Sequence, residues 1–134
     1  MPKQRDGKIL VPFSPECDAS GVKRQLLPKE YLWYFRTIQL PKIPAGKRLL
    51  LQFGAVDQDA VIYCNGKRAG GHLGGYLSFS VDLTPYLKTG ENELAVKVRD
   101  ETDTDWKGRG KQSLTPGGMF YTAQSGIWQS VWME

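Results

Sequence analysis

The sequence predicts an all-β fold, a jelly-roll β-sandwich. Short runs alternate apolar and polar residues with period two, and helical periodicity is almost absent. Fifteen glycines and eight prolines divide these runs with turn residues. Asn65-Gly66, set between two such runs, is a hairpin signal, because a type I′ turn needs positive φ at both central positions.

Tyr31 to Leu40 is the first predicted strand, with Leu32, Tyr34, Ile38 and Leu40 on one face. Trp33 and Phe35 lie on the other, so both faces are expected to be partly covered. Pro41 and Pro44 end it, because proline has no amide hydrogen to donate to a ladder. Arg48 to Phe53 follows, alternating Leu49, Leu51 and Phe53. Ala60 to Cys64 leads into the Asn65-Gly66 turn, and Lys67 to Gly71 is the return strand. Leu77 to Leu83 sets Leu77, Phe79, Val81 and Leu83 against Ser78, Ser80 and Asp82. Thr84 to Leu87 is one helical turn, capped by Asp82 or Thr84. Glu93 to Arg99 turns Leu94, Val96 and Val98 inward. Asp100 to Gly118 has no periodicity, and a loop of that length in a compact domain points to function or mobility. Ile127 to Met133 is the last strand, with Ile127, Val131 and Met133 opposite Trp128 and Trp132.

A length of 134 residues predicts one domain spanning residues 1–134. A chain of this size buries roughly two-thirds of its unfolded surface and needs no staple. The net charge of +4 is weak and scattered, which argues against a nucleic-acid partner. Its densest basic cluster is Lys107, Arg109 and Lys111. No apolar run approaches the roughly 20 residues that span a bilayer, so no membrane partner is expected. Cys64 follows an apolar run and is expected to be a buried thiol, while Cys17 lies in a loop. Two distant cysteines form no disulfide framework, and Met1 to Lys8 is polar, so a cytoplasmic setting is favoured.

Several catalytic motifs fail on inspection. Gly70-Gly71-His72-Leu73-Gly74-Gly75 lacks the Lys-Ser/Thr ending of a phosphate loop. Asp100, Thr102 and Thr104 start like a calcium loop, but Asp105 and Lys111 occupy the positions that need Gly and Glu. His72 is the only histidine and is expected to be a solvated ring beside a turn. One His and two distant Cys do not supply a zinc site, so no metal or cofactor is expected. A pair of glycosidase carboxylates stays open on spacing alone, with 14 acids present.

Aromatic residues carry the remaining chemistry. Trp106, Phe120, Tyr121 and Trp128 gather around the long loop and the last strand. The apolar C–H face of a sugar lies well on such rings, and Arg109, Lys111, Gln112 and Gln124 are polar neighbours for its hydroxyls. Trp128 and Trp132 are expected in the core, and Trp106, in polar surroundings, is the surface candidate.

Val56-Asp57-Gln58-Asp59-Ala60-Val61-Ile62-Tyr63-Cys64-Asn65-Gly66-Lys67 resembles a hairpin of the N-terminal domain of family 2 glycoside hydrolases. That family includes β-galactosidases, β-glucuronidases and β-mannosidases. The resemblance continues in order through Gly74-Gly75-Tyr76, Phe79, Asp82-Leu83-Thr84 and Tyr86-Leu87. It resumes at Gly90-Glu91-Asn92-Glu93-Leu94-Ala95-Val96 and Ser125-Gly126-Ile127-Trp128-Gln129-Ser130-Val131-Trp132. Upstream, Leu32-Trp33-Tyr34-Phe35-Arg36 and Ile9-Leu10-Val11-Pro12-Phe13 are similar to two further family segments.

The resemblance implies a galactose-binding-domain-like jelly roll, followed in such enzymes by a second sandwich and a barrel that holds both catalytic glutamates. This chain alone is therefore expected to be inactive, as an excised domain that lacks the family's opening strand. Its expected partners are carbohydrate, those missing downstream domains and, in some settings, a second copy. In several relatives this domain lends the sugar pocket one acid, at the position of Phe120 here. Arg109-Gly110-Lys111-Gln112 and Tyr121 are expected to face that pocket instead, with Glu16 in a loop that approaches substrate in relatives. The expected function is an accessory sugar-binding domain of a glycosidase. An autonomous carbohydrate-binding module and a purely structural or oligomerisation domain are the alternatives.

Overall fold

The computed structural model describes residues 1–134. Its strands, in chain order, are β1 (Leu32–Leu40), β2 (Leu50–Phe53), β3 (Val56–Asp57), β4 (Asp59–Cys64), β5 (Lys67–Leu73) and β6 (Phe79–Asp82). Then come β7 (Gly90–Arg99), β8 (Gln112–Ser113), β9 (Tyr121–Thr122), β10 (Gly126–Ile127) and β11 (Val131–Met133). One sheet has the order β1-β7-β4-β5, and the facing sheet has the order β11-β2-β6. Two short pairs, β10 with β3 and β8 with β9, complete the jelly-roll sandwich. No helix is long and apolar enough to cross a membrane.

The core follows from strand alternation. Tyr34, Val96 and Ile62 stand in register across β1, β7 and β4, and all three are buried. Leu51, Phe53, Val81 and Leu83 meet them from the other sheet. Each such side chain stabilises the fold by about 1.5–3 kcal/mol through burial. The outer face of the larger sheet is covered as well. Trp33 stacks on Phe35 at 6.0 Å and lies 5.7 Å from Tyr63. Phe35 and Tyr63 flank Ala95 in register, and Ala95 is only 2% exposed.

The predicted hairpin is present, with φ of 50° at Asn65 and 78° at Gly66. Its flanks are tied down by two asparagines. Asn65 donates to the Tyr86 carbonyl at 2.9 Å and to Asn92 Oδ1 at 2.8 Å. Asn92, fully buried, also accepts from Lys88 N and donates to the Lys88 and Gly90 carbonyls. The turn at Thr84–Tyr86 is 3-10, and the Thr84 amide donates to Asp82 Oδ1 at 2.9 Å.

Five expectations are corrected. The return strand β5 runs on to Leu73 and takes in His72. That ring is only partly exposed: it stacks on Phe79 at 4.5 Å, with Nε2 buried and unpartnered. The last strand is broken into β10 and β11, because Trp128 leaves the ladder to donate to the Gly75 carbonyl. Trp132 and Met133 on β11 are exposed, since this edge strand has no further layer above it. Leu77 lies before β6 and is 71% exposed, so its alternation with Phe79 ends at a loop.

Candidate functional site

The site loops converge on one end of the sandwich. β7 leaves this end at Arg99, β1 enters it at Leu32, and Asp59 pairs with Arg99 beside them. The long segment after Asp100 is less irregular than its sequence suggests. Gln112 and Ser113 pair in parallel with Tyr121 and Thr122, and Phe120 closes a tight loop onto Gly117. This pairing brings Lys111, Gln112, Phe120 and Tyr121 together.

Beneath these loops lies a layer of buried polar groups. Glu16 accepts from the Leu26 amide at 3.1 Å and from the Ser125 amide at 3.0 Å. Asp100 accepts from the Thr102 amide at 2.7 Å and the Ser125 hydroxyl at 2.8 Å. Asp57 Oδ2 accepts from Gln112 Nε2 at 3.3 Å, while its Oδ1 is buried without a partner. Gln112 also accepts from the Gln124 amide, and Gln124 Oε1 accepts from the Ser14 hydroxyl. One connected network thus ties the loop around Glu16 and the loop around Gln112 to the sheet.

Burial sets the electrostatics of this layer. It pushes the Asp57 carboxyl up to about 7, and the nearby charges of Asp100 and Glu16 push the same way. Burial raises Asp100 too, against the hydrogen bonds from Thr102 and Ser125. The outer loop is the reverse. The Ser113 hydroxyl holds the Asp103 carboxyl below its ordinary range, with help from the Leu114 amide and the Arg109 charge.

Two glycines allow the close packing. Gly75 is buried against Asp57, and a Cβ there would collide with the carboxylate. Gly126 has φ of 77°, and a Cβ there would collide with the Tyr34 hydroxyl, which accepts from the Ile127 amide at 3.1 Å. Trp128 Nε1 reaches the Gly75 carbonyl at 2.8 Å, and Tyr76 stands edge-on to its ring at 6.4 Å.

The predicted residues therefore separate into two groups. Trp106 is 88% exposed and Tyr121 is 69% exposed, and neither ring stacks on another aromatic. Phe120 and Lys111 are exposed as well. Arg109 is partly covered, with Nε buried and unpartnered. Glu16 and Gln112 are half-buried at the edge of the buried layer, and both hydrogen-bond to it or to the loops around it. Asp57, Asp100 and Ser125 are not among the site residues that the sequence predicts. The signal that could have found Asp57 is an acid directly after the apolar pair Ala55-Val56. No group of three His, Cys, Asp or Glu side chains forms a metal-binding set.

Comparison with known proteins fits this architecture. Residues 23–133 match the family described as glycosyl hydrolases family 2, sugar binding domain. A β-galactosidase of Bacteroides ovatus is 35% identical over 130 residues, which is 96% of this chain and 14% of that protein. A β-glycosidase structure from Bacteroides vulgatus superposes with a TM-score of 0.60 at 32% identity, covering 80% of this chain and 12% of that one. A β-glucuronidase structure from Bacteroides uniformis gives 0.58 at 33% identity, covering 75% and 11%. The chain spans about one-seventh or less of the length of these relatives. Family match, fold and relatives agree that this chain belongs to the sugar-binding domain family of the family 2 glycosyl hydrolases.

Proposed function

We propose that residues 1–134 form a single accessory domain of a larger family 2 glycoside hydrolase. The domain shapes the rim of a sugar pocket and docks on a second sandwich and on the barrel that carries the hydrolytic glutamates. The observation that carries this reading is the division of labour at the loop end. A buried layer of Asp57, Asp100 and Ser125, edged by half-buried Glu16, holds loops whose tips present Trp106, Lys111 and Tyr121 outward with Arg109 partly covered beside them in sequence. Rings with open faces beside cationic donors suit a saccharide, which offers apolar C–H patches and hydroxyls together. Phe120 offers a further apolar edge where an acid would have offered a charge.

Arg109→Ala and Tyr121→Ala in the full-length enzyme test the assignment. Each is expected to lower kcat/KM by about tenfold, as loss of one substrate contact does. Unchanged kcat/KM in both variants removes Arg109 and Tyr121 from the pocket. The 134-residue chain alone is expected to show no turnover of aryl glycosides. Turnover that survives repurification and is lost with one carboxylate substitution overturns the accessory role.

The exposure of the Trp106 ring favours a second reading, an autonomous carbohydrate-binding module. Calorimetric titration of the isolated chain against a sugar panel separates the two. Affinity that disappears in Trp106→Ala supports the module.

A further inference from the structure

The opposite end of the sandwich holds a cavity of about 350 Å³ that the loop-end site does not use. It lies where β1 ends and β7 begins, lined by the 41–47 connection and the turn before β7. Its volume is within the range of small-ligand pockets. Pro41, Ile43, Pro44 and Leu87 supply apolar surface, while Thr89 brings a hydroxyl. Lys42, Lys47 and Lys88 supply three positive charges, and no acid lines the cavity.

These charges are not neutralised from nearby. None of the three lysines takes part in an ion pair. The neighbouring acids are engaged elsewhere: Asp82 with Arg48 and the Thr84 amide, Glu91 with Gln39, and Glu93 with Arg5. The wall that carries Lys88 is also fixed. Buried Asn92 holds both the amide and the carbonyl of Lys88, at 2.9 and 2.8 Å. Thr84 Oγ1 accepts from the Leu49 amide at 2.9 Å, which fastens the same turn to the start of β2.

We infer that this cavity binds an acidic saccharide, with the sugar's C–H surface on the Pro41–Pro44 side and its carboxylate or sulfate among Lys42, Lys47 and Lys88. A concave surface with one wall held in place, apolar side chains and cations outside any ion pair matches that chemistry on both counts. A neutral sugar leaves the three ammonium groups unused, and a free anion leaves the apolar side chains uncovered. The inference goes beyond the pocket-rim role of the other end and does not depend on it.

Calorimetric titration of the 134-residue chain at low ionic strength tests it, with trigalacturonate, neutral galactotriose and inorganic sulfate as probes. Trigalacturonate is expected to bind at one site, about tenfold or more tightly than either other probe. The triple variant Lys42→Gln, Lys47→Gln, Lys88→Gln is expected to lose that preference with an unchanged Tm, since all three side chains are exposed. No binding of trigalacturonate, equal binding of galactotriose, equal binding of sulfate, or binding that survives the triple variant each overturns the inference. Arg109→Ala with Tyr121→Ala is expected to leave the binding intact. Loss of binding in that variant assigns the acidic sugar to the loop end and overturns the cavity alone.

Discussion

Replacing Asp57 with Asn tests whether the buried carboxyl layer makes the domain sensitive to pH. Asp57 is 4% exposed, and burial, aided by Asp100 and Glu16, moves its carboxyl from an ordinary 3.8 to about 7. Hydrogen bonds from Gln112 and Gln58 offset only part of this. A change of that size corresponds to about 4 kcal/mol between the protonated and charged forms. The sign follows from which state binds the proton more tightly. The folded chain does, so its extra stability is complete below about pH 4 and is lost as pH rises through about 7. Asp57→Asn keeps the shape of the side chain and removes the titration, while Asp100 stays and titrates in the same direction. The readout is therefore the difference between two profiles. Urea unfolding followed by tryptophan fluorescence is expected to show similar stabilities near about pH 4 and a more stable variant near about pH 8, by on the order of 2–4 kcal/mol. Parallel profiles across this window, or a variant less stable than wild type at the alkaline end, refute the reasoning.

Four further substitutions test the supports of the fold. Asn92→Ala removes four hydrogen bonds around Lys88, Gly90 and Asn65 and is expected to cost about 2–4 kcal/mol by urea unfolding. Combined with Asn65→Ala it is expected to be non-additive by about 1 kcal/mol, because the two side chains share one bond. Gly126→Ala meets both a positive φ and the Tyr34 hydroxyl, so a loss of about 3 kcal/mol or more, or failure to fold, is expected in a thermal melt. Trp128→Phe keeps most of the buried ring and loses the bond to Gly75, so about 1 kcal/mol of stability and slower-exchanging amides in the 74–76 loop are expected to be lost, as read by hydrogen exchange.

The strands were legible because two local rules agreed. Alternation put Tyr34, Ile62 and Val96 on one face, and Asn65-Gly66 set the first pairs of the β4–β5 hairpin, before the register shifts at Ile62 and Tyr63. Both rules act within a few residues. The failures came where a distant contact overrides them. The Trp128 indole follows its partner Gly75 out of the ladder, so one predicted strand became two. His72 sits beside a glycine run that looks like a turn, yet Phe79 across the sandwich gives its ring a stacking partner. Asn92 resembles any turn residue, but its neighbours in space are Asn65 and Lys88, and full burial makes it structural.

The same distinction decides what could be read of the candidate site. Trp106, Arg109, Lys111 and Tyr121 stand in a loop of visible character, and their exposure or partial exposure follows from polar, glycine-rich surroundings. The layer beneath them joins Glu16 to Ser125 and Asp57 to Gln112, over separations of 109 and 55 residues. No local pattern encodes such pairs, and an acid followed by polar residues looks solvated until its partner is known. A carboxyl taken out of water needs its hydrogen bonds in place, since losing one partner leaves the other desolvated. The constraint on Glu16, Asp57 and Asp100 is therefore to hold the loop bases, and the loop tips are free of it. Substitutions at Trp106 or Tyr121 are expected to change what the domain touches while leaving its stability nearly untouched. Substitutions at Glu16 or Asp100 are expected to act through folding first.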